Sequence, residues 1–254
     1  MIITGMKPSV KIYNSHFELA ENAALDIIGK IKNQAAGNRV FSIALSGGTT
    51  PRLLFTVLAD HYGGSISWEN VHIFWADERC VPPGEAESNY GMAKAAFLDK
   101  IKIPEPNVHR IKGEDDPLNE ALRYGAVMKE IAETEEGSPV LDIVLLGVGE
   151  DGHVASIFPG NEALFNTDVP YHVSRHPKTG QDRITLSGRV INNSRNIFFM
   201  VTGKNKAEIV RSIFEGEKTK KSFPASFVRP DKGTAVWYLD REAASLMPSE
   251  TVDM

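Results

Sequence analysis

Apolar residues in this chain fall into short runs and into patches at helical spacing. Short runs typical of buried strands occupy 40–45, 71–75, 140–148, 196–201 and 235–239, with weaker ones near 171–174 and 183–187. Apolar positions at helical spacing lie between 17 and 31, 53 and 58, 118 and 131, and 205 and 214. Because strands alternate with helices, the pattern predicts a mainly parallel sheet and an α/β fold.

Polar and special residues predict where several of these elements begin and end. Ser88 is placed to cap a helix through about Leu98, and Asp116-Pro117 to start another. Gly37-Asn38 is expected to end the first helix. The charged stretch 77–79 is interpreted as a loop, as are His172 and His176 before the strand at 183–187. A short helix is expected after the last strand.

Composition narrows the class of protein. The 254 residues are 42% hydrophobic and 24% charged, which is typical of globular chains. With neither repeats nor a Gly/Ser/Pro-rich linker, residues 1–254 are predicted to form a single α/β domain. The formal net charge of -5 argues against nucleic-acid or membrane partners, which require a basic surface. The one short basic run, Lys218, Lys220 and Lys221, is interpreted as a solvated loop.

Cys80 is the single cysteine, so an internal disulfide and a cysteine-rich metal site are both excluded. No apolar run approaches the roughly 18 residues of a membrane-spanning helix, and no leader-like segment is recognised at the start. By elimination, we expect a cytoplasmic protein.

A glycine-containing turn between a predicted strand and helix is the first candidate binding element. It comprises Ser46, Gly47, Gly48, Thr49 and Thr50, followed by Pro51. Glycines let the backbone approach a ligand, and the N–H groups of a helix start attract anions. It matches neither a Walker A loop nor a dinucleotide fingerprint, which favours a monophosphate. The alternative is a purely structural turn with Thr50 as the N-cap.

An acid and a histidine separated by one glycine follow another predicted strand. In open α/β sheets, ligands bind beyond the carboxyl ends of strands, where Asp151 and His153 are placed. A histidine with a pKa near 6.5 can accept a proton at neutral pH. Asp151 can fix its tautomer because Gly152 permits a turn. No second histidine lies at ligand spacing, so a metal site is not expected.

Further charged residues fall at the same predicted sheet edge. Arg79 can clamp a phosphate, and Asp77 can orient a base or hold Arg79. Lys206, at a helix start, can reach a phosphate, and Arg183 can point into the pocket. For each of these the alternative is a solvated or ion-paired charge. Together with the glycine turn and His153, they predict an enzyme that acts on a phosphorylated small molecule.

Six segments resemble the 6-phosphogluconolactonase family, in the family's order from about residue 15 to 245. They are Leu45–Pro51, Ala76–Arg79 with Ser88–Tyr90, Gly147–Gly160, Arg183–Leu186 and Pro224–Ser226. The resemblance implies a three-layer α/β/α, Rossmann-like sandwich shared with glucosamine-6-phosphate deaminase and ribose-5-phosphate isomerase. It also implies hydrolysis of 6-phospho-D-glucono-1,5-lactone in the oxidative pentose phosphate pathway, with no cofactor. We expect a monomer or small homo-oligomer.

Residue roles follow from the same resemblance. His153 matches the family's general base and Asp151 its support. The 46–50 turn, Arg79 and Lys206 match phosphate-holding positions, and Arg183 matches an arginine near the pocket. Asp77 is a further candidate substrate-binding residue. Ser156 lacks the Gly-x-Ser-x-Gly context of a covalent nucleophile.

Two rival functions remain at this point. Glucosamine-6-phosphate deaminase shares the phosphate turn and the Asp-Gly-His core. However, that family has an aromatic residue where this chain has Arg79, and a glutamate soon after the histidine where this chain has residues 156–159, which include no acid. The second rival is a sugar-phosphate-sensing domain of a transcription regulator, which would need a DNA-binding module that the sequence does not suggest.

Overall fold

The computed structural model describes residues 9–34, 39–215, 223–230 and 232–247. Gly37, Asn38 and the lysine run at Lys218, Lys220 and Lys221 lie outside them. The strands are β1 (Ser9–Tyr13), β2 (Phe41–Leu45), β3 (Val71–Trp75), β4 (Asp77–Arg79), β5 (Glu133–Glu135), β6 (Ser138–Val140), β7 (Ile143–Leu146), β8 (Tyr171–Arg175), β9 (Asp182–Leu186), β10 (Asn196–Val201) and β11 (Thr234–Asp240). The α-helices are α1 (His16–Gln34), α2 (Thr49–Val57), α3 (Asn89–Ala96), α4 (Pro117–Ile131), α5 (Gly188–Asn193) and α6 (Ala207–Glu215).

A parallel sheet forms the centre of the fold. Its strand order is β1-β11-β10-β7-β2-β3, and every pair is parallel. Strands β2 and β7 are buried along their whole length, as expected where helices cover both faces of a sheet. The predicted α/β class with a mainly parallel sheet flanked by helices is therefore confirmed.

Five of the six α-helices in the described ranges form where the sequence pattern places them, whereas α5 was not predicted. Helix α1 buries Leu19, Ala23, Ile27 and Ile31, one residue per turn, and packs against α2 and β11. The predicted caps are confirmed: Ser88 Oγ accepts the Gly91 N–H at 3.0 Å, and Asp116 accepts the Asn119 N–H at 3.0 Å. Among the helices of the described ranges, none combines the length and apolarity needed to cross a membrane.

A second, antiparallel sheet adjoins the first, and the sequence pattern did not predict it. Its order is β4-β9-β8. Residues 77–79, interpreted as a loop, instead form β4, because they pair antiparallel with β9. The Ala76 N–H donates to the Leu45 carbonyl at 2.7 Å, and its carbonyl accepts the Leu186 N–H at 2.7 Å. The chain therefore runs directly from β3 into β4.

Three other sequence predictions were wrong. The run at 140–148 is not one strand but ends β6 and forms β7, with Asp142 at the break. Its carboxylate accepts the Ser42 N–H at 2.9 Å and Arg39 Nη2 at 2.6 Å, which holds the chain in a turn. His172 lies within β8, so the weak strand predicted near 171–174 is confirmed and the loop interpretation of His172 is wrong. After β11 the chain forms turns instead of a helix, and the Asp240 carboxylate accepts the Ala243 N–H there at 2.8 Å.

Candidate active site

A pocket of about 310 Å³ opens beyond the carboxyl ends of β2, β7 and β10. This edge is where ligands bind in open α/β sheets. Ten of the residues predicted for the site line this pocket: Ser46, Gly47, Gly48, Thr49, Thr50, Asp77, Arg79, His153, Arg183 and Lys206. The remaining one, Asp151, contacts His153 from behind. The structure thus brings all the predicted site residues together.

The glycine turn leads from β2 into α2. Gly48 has a φ of +108°, which L-residues rarely adopt, and it is the N-cap of α2. The alternative in which Thr50 caps the helix is therefore wrong. The Thr50 hydroxyl instead lies 2.7 Å from that of Thr202. Ser46 Oγ donates to the Leu145 carbonyl at 2.7 Å, so this hydroxyl ties β2 to β7.

Residue 47 must be a glycine because the side chain of Asn89 lies against it. A Cβ at this position would overlap the side-chain amide of Asn89, which is buried. Asn89 Nδ2 in turn donates to the Asp77 carbonyl at 2.8 Å and lies 3.3 Å from its carboxylate. The turn and β4 are thus packed together through one amide.

His153 and Asp151 form a hydrogen-bonded pair at the pocket. Asp151 Oδ1 lies 2.6 Å from His153 Nδ1 and accepts the His153 backbone N–H at 3.2 Å. Partial burial opposes ionisation of Asp151, but the hydrogen bonds and charge of His153 outweigh it and lower the pKa of Asp151 to about 2. Within the described residues, His153 Nε2 forms no hydrogen bond. This nitrogen is available to a ligand.

Two glycines allow the tight turn that carries this pair. Gly152 has a φ of +83°, and its carbonyl accepts the Ala225 N–H at 2.9 Å. A Cβ on Gly149 would overlap the His153 ring. On the other side of that ring, the Phe158 ring centroid lies 4.8 Å away. The imidazole is therefore packed against Gly149 and Phe158 and hydrogen-bonded to Asp151.

Two arginines from the antiparallel sheet form another wall. Arg79 and Arg183 are cross-strand partners on β4 and β9, and the Nε atom of each is buried without a hydrogen bond in the part of the chain that the structure describes. Burial, together with the Arg79 charge, lowers the pKa of Arg183. Two partly desolvated guanidiniums with unused donors are suited to bind an anion.

Lys206 approaches from a third direction, at the 3₁₀ turn that precedes α6. Burial lowers its pKa, while Glu150 and Asp151 oppose the shift. Asn205 Nδ2 donates to Glu150 Oε1 at 2.7 Å, which links this turn to the turn carrying His153. Lys204 is exposed, in line with its interpretation as solvent-facing.

Sequence reasoning missed several residues at this site. Asn205 and Thr202 line the pocket, and Asn89 and Ser156 lie behind it. Thr202 and Asn205 had a usable signal, since they follow β10 at the same sheet edge. Asn89 and Ser156 fall within the segments of the family resemblance, but no local pattern gave them a role, because both bond Asp77 on β4, which was interpreted as a loop. No group of three or more His, Cys, Asp or Glu side chains in the described ranges is arranged to hold a metal ion.

The family of glucosamine-6-phosphate isomerases/6-phosphogluconolactonase matches residues 14–237. The chain belongs to this family. A family member, the 6-phosphogluconolactonase of Aggregatibacter actinomycetemcomitans, is 36% identical over 232 residues, covering 91% of this chain and 98% of the relative.

Solved structures of this family superpose closely. The 6-phosphogluconolactonase from Trypanosoma brucei has a TM-score of 0.85 at 30% identity, covering 95% of this chain and 99% of its own. A monomeric glucosamine-6-phosphate deaminase has a TM-score of 0.78 at 26% identity, covering 94% and 99%. Both named activities therefore occur on this fold, and the site must distinguish them.

Proposed function

We propose that this chain is a carboxylic ester hydrolase that converts 6-phospho-D-glucono-1,5-lactone to 6-phospho-D-gluconate, the second step of the oxidative pentose phosphate pathway. The relatives named 6-phosphogluconolactonase support the reaction. The observation that carries the mechanism is the 2.6 Å contact between Asp151 and His153 Nδ1, which leaves Nε2 unbonded at a pocket with two arginines and a lysine. We propose that the reaction needs no cofactor.

The substrate phosphate is held by the 46–50 turn, with Arg79, Lys206 and Arg183 as cationic partners. Backbone N–H groups at the start of α2 and the positive end of its dipole favour a dianion. Asp77 is already bonded to Ser156 and Asn89, so its part in substrate binding is to shape this wall rather than to bind the phosphate.

His153 Nε2 removes a proton from water, and the resulting hydroxide attacks the lactone carbonyl carbon. A tetrahedral oxyanion forms. When it collapses, the ring C–O bond breaks and protonated His153 returns the proton to the ring oxygen, which becomes a hydroxyl. Asp151 stabilises the imidazolium during this cycle. Such acid–base catalysis typically accelerates a reaction by about 10²–10⁴-fold. This acceleration is sufficient here because a lactone is already an activated ester.

The site favours lactone hydrolysis over deamination. Among the described residues, Asp151 is the only carboxylate that contacts His153, and the nearby Glu150 is bonded to Asn205. Phe158, an apolar ring, packs against His153 at 4.8 Å. A proton relay through a second acid is therefore missing from the described site.

We further propose that residues 1–254 act as one domain, in the cytoplasm, as a monomer or small homo-oligomer, without nucleic-acid or membrane partners. Size-exclusion chromatography with light scattering tests the oligomeric state. A sugar-phosphate sensor would bind 6-phosphogluconate and turn nothing over.

The deciding experiment is hydrolysis of 6-phosphogluconolactone, generated freshly by glucose-6-phosphate dehydrogenase, with the spontaneous rate subtracted. We expect a large increase over background that His153→Ala reduces by about 10²–10⁴. Release of ammonia from glucosamine 6-phosphate is measured alongside. Ammonia release without lactone hydrolysis would establish the deaminase instead, and unchanged lactonase activity in His153→Ala would reject this residue as the base.

A further inference from the structure

Ser156 is fully buried and bonded to every strand of the antiparallel sheet. Its Oγ donates to Asp77 Oδ2 on β4 at 2.7 Å, and its N–H donates to Thr185 Oγ1 on β9 at 3.0 Å. Its carbonyl accepts the hydroxyl of Ser174 on β8 at 2.6 Å. One residue thus connects the segment that follows His153 to all three strands.

This connection joins two halves of the site that come from different sheets. His153 follows β7 of the parallel sheet, whereas Arg183 lies on β9 of the antiparallel sheet. Arg183 Nη1 donates to Ser156 Oγ at 3.4 Å. Phe158 lies between the two groups, 4.8 Å from the His153 ring and 5.7 Å from the Arg183 guanidinium. The distance between base and cation therefore depends on how residues 153–158 are held against β9.

We propose that Ser156 is a positioning residue that sets the placement of Arg183 relative to His153 across the pocket. The Ser156 hydroxyl donates its proton to Asp77 and accepts a hydrogen bond from Arg183. Ser156 therefore acts through these two partners and not on the substrate. Neighbouring Ala155 has a φ of +48°, a strained conformation that persists only where the surroundings hold it. The kinetic part of this inference rests on the proposed function.

The test compares Ser156→Ala with Ser194→Ala. Ser194 is also fully buried, but its hydroxyl donates to the Val190 carbonyl and lies outside the pocket. A small misplacement of catalytic groups can cost about 10²-fold in rate. We expect Ser156→Ala to lower kcat/KM by roughly 10- to 100-fold, and Ser194→Ala to leave it close to wild type. Equal losses in the two variants would overturn the proposal.

A double-mutant cycle separates positioning from a general structural defect. If Ser156 acts through Arg183, Ser156→Ala should cost much less in an Arg183→Lys background than in the wild type. Fully additive effects would contradict the proposal. If Ser156→Ala does not fold, Ser174→Ala, which removes only the bond to the Ser156 carbonyl, is used in the same cycle.

Crystal structures of Ser156→Ala and Ser194→Ala provide a readout that needs no turnover. We expect the Arg183 guanidinium to be displaced in the first and unmoved in the second. If the wild-type chain hydrolyses no lactone, the proposed function fails, but these structures still decide the inference. An unmoved Arg183 in Ser156→Ala would overturn it.

Discussion

Asp151 Oδ1 contacts His153 twice, at 2.6 Å from the ring Nδ1 and at 3.2 Å from the backbone nitrogen. Because an ionised carboxylate is only an acceptor, Nδ1 carries the proton in the neutral imidazole, and Nε2 then keeps its lone pair. The acid is only two residues from the base, so the tautomer is set by one turn of chain. That turn exists because Gly152 adopts a φ of +83°.

Replacing this acid by its amide is the most direct test of the pair. Asp151→Asn keeps the size of the side chain, but it removes the charge that stabilises the imidazolium and lets an N–H face Nδ1. We expect kcat to fall by about 100-fold or more. The measurement is kcat and KM with freshly generated lactone.

Glu150→Gln is the matched control, because Glu150 lies in the same turn but bonds Asn205. Exposed polar pairs are worth under about 1 kcal/mol, so its activity should stay within about fivefold of wild type. Equal losses in the two variants would show that the charge of the whole turn matters, rather than the bond to His153.

A methyl group at Gly47 is expected to displace Asn89. Since the added Cβ would overlap the Asn89 amide, Gly47→Ala must shift either the 46–50 turn or Asn89 at the start of α3. Overpacking of this kind costs about 1–3 kcal/mol. We expect lower stability in chemical denaturation and a raised KM for the lactone.

The double variant Gly47→Ala/Asn89→Ala tests this cause. Removing the amide makes room for the methyl but also removes the bonds of Asn89 to Asp77, so Asn89→Ala is measured alone as well. Gly47→Ala should cost less stability in the Asn89→Ala background than in the wild type. Gly64→Ala is the control, because nothing lies within 4 Å of its added Cβ. An equal cost of Gly47→Ala in both backgrounds would mean that the turn itself, and not Asn89, rejects the side chain.

Most strands of the parallel sheet and the helices beside it could be predicted because they repeat a local pattern. The edge strand β1 was not predicted, since none of its five residues is fully buried and they form no apolar run. Strands β2 and β10 carry apolar runs, and α1 carries its buried residues one turn apart. Strand β4 could not be predicted this way. Its residues Asp77, Glu78 and Arg79 are charged, and their partners on β9 lie about a hundred positions away. Long-range pairing, rather than local propensity, makes this segment a strand.

The same limit applies to the site. His153 and the 46–50 turn were found because glycines and polar residues directly follow apolar strands. Asn89 and Ser156 were not, because their importance lies in bonds to Asp77, which becomes a β4 residue only in the folded chain. Residues that directly follow a strand, including Asp151 beside His153, had a local sequence signal, whereas residues whose role depends on long-range bonds did not.

A pair of histidines at the edge strand β3 should make the protein sensitive to acid. His72 Nδ1 lies 2.9 Å from His109 Nε2, and burial, followed by the charge of His72, lowers the pKa of His109 to about 4. The unfolded chain, with an ordinary value near 6.5, binds more protons between these limits. The contribution of His109 to the free energy of unfolding is therefore fully present above pH 6.5 and is lost as the pH falls towards 4.

We expect this decrease to be about 2 kcal/mol, allowing for partial exposure of the ring. The measurement is the free energy of unfolding in urea at several pH values from 7 to 4. His109→Gln should flatten the dependence, whereas His16→Gln, at an exposed position of α1, should not. An unchanged slope in His109→Gln would exclude the pair as its source.

Ala155 provides a test of backbone strain close to His153. Its φ of +48° costs an L-residue about 1–2 kcal/mol, which glycine would avoid. Glycine also has more backbone freedom in the unfolded chain, which stabilises the unfolded state by about 0.4–1 kcal/mol and offsets part of the relieved strain. We therefore expect Ala155→Gly to raise the free energy of unfolding by about 0.5–1 kcal/mol. Ala86→Gly, in an exposed turn without a positive φ, should lower it. A comparable loss in both variants would show that the folded chain holds Ala155 without strain.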